Sequence, residues 1–248
     1  MGWMQTVIAR TSAKEGGYDA INPNEYGAGL SFGILQWNQT SGNLGKLLAA
    51  MWATDSATFE RTFGPSWRAL LDTLRAGGVR TVGGVYPWQE PWASRFRAAG
   101  RTPAFQRVQD EFARSDPHMA SALEIAARLN VMTERSMALF FDTAVQQGPN
   151  GARSVGENTR THFLSRGVQV APYDELLRVF VEKCLDRVRR RSPPTEDTPG
   201  TWKQVGAEWH KFARSVDLYV NIKGRRTAIL QDPVLSDVPI PRDAPAVA

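Results

Sequence analysis

Residues 16–40 hold five glycines and the alternating run Leu30-Ser31-Phe32-Gly33-Ile34-Leu35-Gln36-Trp37-Asn38, whereas most of the chain beyond residue 40 repeats apolar residues at helical spacing. That change of period is the strongest constraint on the fold. Glycine-rich, alternating sequence reads as short strands joined by tight turns, and 3.6-residue periodicity reads as amphipathic helices. The expected fold class is mainly α (α+β), with a helical lobe plus a small N-terminal β-hairpin lobe.

Residues 3–15 read as a short opening helix that places Glu15 near its C-terminal end. Ser41 can cap a helix starting near Asn43, with Leu44, Leu47, Leu48 and Met51 on one face. Glu60 to Arg75 reads as one helix, and residues 76–92, with two Gly-Gly pairs and two prolines, as a loop. Helices are then expected from Pro103 to Arg114, from Pro117 to Leu129 and from Glu134 to Gln147, the last capped by Thr133 and stopped by Gly148-Pro149-Asn150-Gly151. Further helices are expected over about 173–190 and 202–216, with a flexible loop at 192–200 between them. There is no internal repeat. A single domain over 1–248 is expected: a hairpin lobe at about 16–40, a helical lobe at about 41–230 and an extended tail at about 231–248.

Eight Trp and eleven Phe are ample for a buried core in a chain of 248 residues. The single cysteine, Cys184, excludes an intrachain disulfide framework. It shares an apolar helical face with Leu177, Phe180, Val181 and Val188, so it reads as a buried, inert thiol. No apolar run reaches the ~18 residues that span a bilayer, and Met1 to Arg10 lack the apolar stretch of a signal peptide. The net charge of +5 favours anionic partners. Nucleic acid is not expected, because no zinc-finger spacing, RNA-binding aromatic motif or phosphate-cradling loop accompanies the basic run Arg187 to Arg191. His118, His162 and His210 lie far apart, so no metal site is expected, and no Gly-x-Ser-x-Gly elbow supports a serine hydrolase.

The chemistry concentrates around Glu15. A carboxylate at a helix C-terminus sits in an unfavourable dipole field, which raises its pKa. A carboxyl group so tuned can stay protonated near neutral pH and act as a general acid, as glycosidic cleavage requires. The nearby Tyr18, Asp19, Gln36, Trp37 and Asn38 supply aromatic, carboxylate and amide groups suited to holding a sugar, and Gln146 and Gln147 are candidates to face the same cleft. For Trp37, core packing is an equal alternative. Tyr86, Trp88 and Trp92 read either as a substrate wall or as a hydrophobic plug. Asp142, among Phe140, Phe141, Ala144 and Val145, reads as a structural hydrogen-bonding group rather than a catalytic one.

Two segments resemble the lysozyme-like superfamily. Glu15-Gly16-Gly17-Tyr18 with Ser31-Phe32-Gly33-Ile34-Leu35-Gln36 is similar to the opening of phage-type muramidases, where a Glu is followed by an acidic residue and a Thr. Glu25 lies ten positions after Glu15, and Ser31 six after Glu25, with Glu and Ser in place of the usual Asp and Thr. The run Leu139 to Gly148 resembles a helix shared by peptidoglycan hydrolases and chitosanases, and Gly29 to Leu48 also looks chitosanase-like. The resemblance covers about 15–50 and 100–190. It implies a peptidoglycan hydrolase in which Glu15 is the general acid while Glu25 and Ser31 order the attacking water, with Asp19 as the competing second carboxylate and no cofactor. Its alternatives are a chitosanase, a non-catalytic wall-binding module and, more remotely, a lytic transglycosylase. It also implies action outside the cytoplasm on peptidoglycan or a related amino-sugar polymer, without membrane insertion. An immunity protein or a delivery system joins the partners if the chain is a secreted antibacterial effector rather than an endolysin.

Overall fold

The computed structural model describes residues 2–13, 16–24, 27–191 and 221–241. The expected helix over 202–216 and the loop at 192–200 lie outside the described residues. Two compact units emerge, Ile8–Asp116 and the pair of segments Met1–Val7 and Pro117–Ala248. The boundary between them falls within helix α1 (Trp3–Ser12).

The unit Ile8–Asp116 is built on a three-stranded antiparallel sheet rather than a single hairpin: β1 (Ile21–Pro23), β2 (Leu30–Phe32) and β3 (Trp37–Asn38), in that spatial order. The register pairs Ile21 with Phe32 and Phe32 with Trp37, and pairs Asn22 with Ser31 and Ser31 with Asn38. Alternation along a strand sends these rows to opposite faces. One face is therefore apolar, and the other carries a polar Asn22–Ser31–Asn38 row.

The apolar face meets a cluster of rings. Phe32 lies 5.2 Å from Phe96, Phe96 lies 5.3 Å from Phe63, and Phe63 lies 4.6 Å from Phe59. The ring against Phe32 comes from α5 (Trp92–Gly100), and the rings behind it come from α3 (Ser56–Phe63). Helices α2 (Asn43–Thr54), α4 (Trp67–Arg75) and α6 (Pro103–Arg114) close the core with Leu44, Leu47, Leu48, Leu70, Leu74 and Phe105, all fully buried. Gly45 permits a close helix contact: a Cβ there would stand 2.4 Å from the Arg75 amide nitrogen.

The single helix expected over Glu60 to Arg75 is two helices. Gly64 takes φ 71° at the end of α3, and Pro65, which has no amide hydrogen, cannot continue the ladder. Ser41 does contribute to the start of α2: its Oγ accepts from the Asn43 amide at 3.3 Å, although the N-cap position is Gly42. The expected loop over 76–92 passes at Trp92 straight into α5, a helix that the sequence reading did not include. Its N-cap is Pro91, the second of the two prolines that mark the loop.

In the other unit, α7 (Pro117–Leu129), α8 (Glu134–Gln147), α9 (Pro149–Leu164) and α10 (Tyr173–Arg191) pack together, and a helix over residues 221–230 is joined to α8 through its arginines. Helix α8 is buried continuously from Ser136 to Ala144, as an apolar central helix should be. Its start is a capping box: Thr133 Oγ1 accepts from the Ser136 amide, and Ser136 Oγ accepts from the Thr133 amide. Gly148, with φ 74°, ends α8 but also precedes Pro149 at the first position of α9. The expected stop is thus a stop and a start in consecutive residues.

Residues 231–241 form neither helix nor strand, yet they are fastened. The Arg135 guanidinium donates to the carbonyls of Ile229, Leu230, Asp232 and Leu235 at 2.8–3.0 Å, and its Nε donates to Asp237 at 2.8 Å. A cation on the last carbonyls of a helix satisfies acceptors that have no intrahelical partner. No described helix is long and apolar enough to cross a membrane.

Candidate active site

Glu15 and Glu25, the two expected catalytic carboxylates, lie outside the described residues. The described residues around them are held by α6. Gln109, fully buried, donates from Nε2 to the Tyr18 carbonyl at 3.0 Å and accepts at Oε1 from the Ile34 amide, also at 3.0 Å. One neutral amide therefore ties the loop after Glu15 to the β2–β3 turn. Both backbone groups are satisfied where a missing partner would cost about 1–3 kcal/mol each. Gly33 makes room for this bond: with φ 80°, a Cβ there would stand 2.3 Å from Gln109 Oε1.

The next residue of α6, Asp110, accepts from the Tyr18 hydroxyl at 2.9 Å. Burial, and secondarily the Asp110 carboxylate, pushes the Tyr18 phenol up to about 12. Burial also raises the Asp110 carboxyl above its ordinary range, opposed by the Tyr18 hydrogen bond. Asp19 pairs with Arg101 at 2.8 Å on the surface, so this competing carboxylate is already engaged by a cation. Gly100 lets the loop lie directly on α5: a Cβ there would be 2.4 Å from the Tyr18 carbonyl oxygen and from the Asp19 Cα.

Ser31 sits at the centre of the polar row, 9% exposed, between Asn22 and Asn38 on the neighbouring strands. Asn38 accepts the Ser41 amide at 2.9 Å. Gln36, at φ 52° in the β2–β3 turn, folds back to donate to the Gly33 carbonyl, and its buried Oε1 has no partner among the described residues. Trp37 is a packing residue instead of a sugar platform. It is 4% exposed, bonds through Nε1 to Asp116 at 3.1 Å and meets Phe112 edge-on. The register explains this, because Trp37 shares the apolar face with Phe32.

Gln146 and Gln147 belong to the other unit. Gln147 donates to the Cys184 Sγ at 2.8 Å instead of presenting its amide to solvent. Cys184 is fully buried, and burial pushes its thiol up to about 12. Asp142 is also fully buried, and it pairs with Arg225 and Arg226 of the helix over residues 221–230. The described residues hold no group of three or more His, Cys, Asp or Glu able to bind a metal ion.

Sequence reasoning missed Asn22, Gln109 and Asp110. Asn22 becomes visible only through strand register. Gln109 and Asp110 do leave a signal: both are polar residues on the same stripe of α6 as Phe105, Val108 and Ala113.

The fold and this arrangement define a class: a lysozyme-like architecture, mainly helical, with a small antiparallel sheet. Neither a family model nor a curated protein matches the sequence. Among solved structures, the chain is similar to a family GH46 chitosanase of Gynuella sunshinyii in complex with chitotetraose. That match has a TM-score of 0.63 and 15% identity, and covers 97% of this chain and 99% of the other. It is similar to an alanine variant of a chitosanase from Bacillus subtilis MY002 complexed with six glucosamine units, at TM-score 0.62 and 13% identity over 92% of this chain and 88% of the other. Chitosanase OU01 with substrate matches at TM-score 0.56 and 18% identity, over 75% of this chain and 78% of that one. At these identities the likeness establishes the fold.

Proposed function

We propose that the chain is a glycoside hydrolase that cleaves β-1,4 linkages in an amino-sugar polymer. One observation carries the reading: nearly the whole chain takes the fold of a chitosanase complexed with chitotetraose. In this scheme Glu15 gives its proton to the departing glycosidic oxygen. Glu25 activates or steadies the attacking water, and Ser31 helps to position it from the polar row of the sheet. If the two carboxyl groups stand about 6.5–9.5 Å apart, a water fits between them and the anomeric centre inverts. This chemistry requires no cofactor.

The solved relatives favour a glucosamine polymer, because those complexes hold chitotetraose and glucosamine units. Peptidoglycan is the second reading, supported by the net charge of +5, which suits an anionic wall better than a polycation. On the peptidoglycan reading the chain works outside the cytoplasm. A delivery system and an immunity protein are then its partners if it is an effector.

The test is parallel digestion of purified peptidoglycan and chitosan, with mass spectrometry of the new ends. Glu15→Gln should keep the circular dichroism of the wild type and lose about 10²–10⁴-fold in rate. Full activity of that variant on both polymers would overturn the assignment. Anhydro ends would move the reaction to lytic transglycosylation.

A further inference from the structure

Within the unit Ile8–Asp116 an open groove of about 570 Å³ lies between the C-terminal half of α4 and the turn beyond it. Asp72, Thr73 and Ala76 form one wall; Val79, Arg80, Thr81 and Tyr86 form the rest. Tyr86 is the ring that reads from sequence as either a substrate wall or a hydrophobic plug; the other six are not among the candidate site residues. Val79 and Tyr86 are among the few large apolar side chains that stay exposed, at 42% and 38%, and both open into this one groove.

The groove is pre-formed. Tyr86 stacks on Trp88, with ring centroids 4.4 Å apart and planes 13° from parallel. The Tyr86 amide is held by Gln89 Oε1, and Val82 pairs with Val85 across Gly83 and Gly84, both at positive φ as a two-residue hairpin requires. The Arg80 Nε bonds to the Gly77 carbonyl, and the Arg80 carbonyl accepts from the buried Gln39. Gln39 in turn accepts the Leu30 amide, so the groove wall is tied to the strand that carries Ser31.

A flat ring backed by a second ring offers a face to the C–H groups of a pyranose without first having to be ordered. The carboxylate and hydroxyls at its rim can meet sugar hydroxyls and an amine. Asp72, Thr73, Arg80 and Thr81 make the lining more polar than apolar, which suits a hydroxyl-rich ligand stacked on one exposed ring. Asp72 makes no ion pair among the described residues, which leaves its carboxylate for a ligand cation.

We propose that this groove is an accessory binding site for a strand of β-1,4-linked amino sugars, with Tyr86 as the stacking platform and Asp72 as the partner of a sugar amine. The ligand class rests on the proposed glycosidase activity; the existence of the groove does not.

The test is retention on insoluble chitosan and on insoluble peptidoglycan, measured with Glu15→Gln protein so that the polymer is not consumed. Tyr86→Ala should lower retention about tenfold, Tyr86→Phe should restore it because the ring is kept, and Asp72→Asn should weaken retention on chitosan more than on peptidoglycan. Thermal unfolding of each variant separates loss of binding from loss of fold. Equal retention of Tyr86→Ala and its parent, or retention on neither polymer, overturns the site. Retention that depends on Tyr86, with no cleavage by the wild type, keeps the groove and defeats the proposed activity instead.

Discussion

Two buried polar fastenings hold this molecule, and they are made of opposite materials. In the unit Ile8–Asp116, the neutral amide of Gln109 joins two backbone groups at 3.0 Å each. In the other unit the carboxylate of Asp142 is joined to Arg225 and Arg226, all three at most 9% exposed. The neutral fastening needs little desolvation and leaves each group satisfied. The charged one takes three ions out of water, and burial pushes the Arg226 guanidinium down to about 9. The first is suited to holding a loop in place without coupling it to charge. The second makes a helix far along the chain dependent on one carboxylate.

The largest expected effect comes from that dependence. Asp142→Ala removes the buried anion that Arg225 and Arg226 share and should cost about 3–5 kcal/mol in urea unfolding. Replacing all three ions by Asp142→Leu, Arg225→Met and Arg226→Met together should recover most of that loss. If the triple variant is no better than Asp142→Ala, charge is not what distinguishes this region.

Gln109→Leu should cost less, about 1–3 kcal/mol, but it should lower turnover by more than its stability loss explains, because the loop after Glu15 loses its tether. Unchanged turnover would separate the tether from the active site. Gly33→Ala should act in the same place through crowding, at about 1–3 kcal/mol.

Smaller effects concern titration. The Tyr18 phenol is raised to about 12 in the fold, so its proton is held more tightly than in the unfolded chain, where the value is about 10. Its contribution is fully present below about pH 10 and lost as pH rises from about 10 to 12. Alkaline unfolding of Tyr18→Phe should therefore differ in its pH dependence from wild type in that window and nowhere below it. Asp237 behaves oppositely: the Arg135 hydrogen bond lowers its carboxyl, so its contribution is present above about pH 4 and lost as pH falls through the lowered value. Least of all, the buried Cys184 should resist alkylation at about pH 8 until the protein unfolds; rapid labelling would show that its burial is not maintained.

Much of the helical framework was legible in the sequence. The bounds Pro103–Arg114, Pro117–Leu129 and Glu134–Gln147 come from proline starts and a threonine cap, which are local signals. The misses have physical causes. Gly64-Pro65 divides a stretch whose apolar period runs through it, and Gly148-Pro149 serves two helices at once. Helix α5 hides behind a proline-rich loop.

At the candidate site, composition pointed to the sheet region. The orientation of Trp37, and the row that joins Ser31 to Asn22 and Asn38, depend on strand register, which a three-residue strand does not announce. Gln147 reads as a sugar ligand by type, but its partner, Cys184, is 37 residues away on another helix.

The grip of Arg135 has a wider reach than the carbonyls it touches. The helix over residues 221–230 carries both guanidinium groups that neutralise Asp142, and Arg135 clamps that helix at its far end. Fraying of its last turn is thereby suppressed, and the two arginines keep their rotational phase. A lysine at position 135 would bring the same charge without the planar fork of donors, so the anion at the centre of α8 would be served by a looser helix.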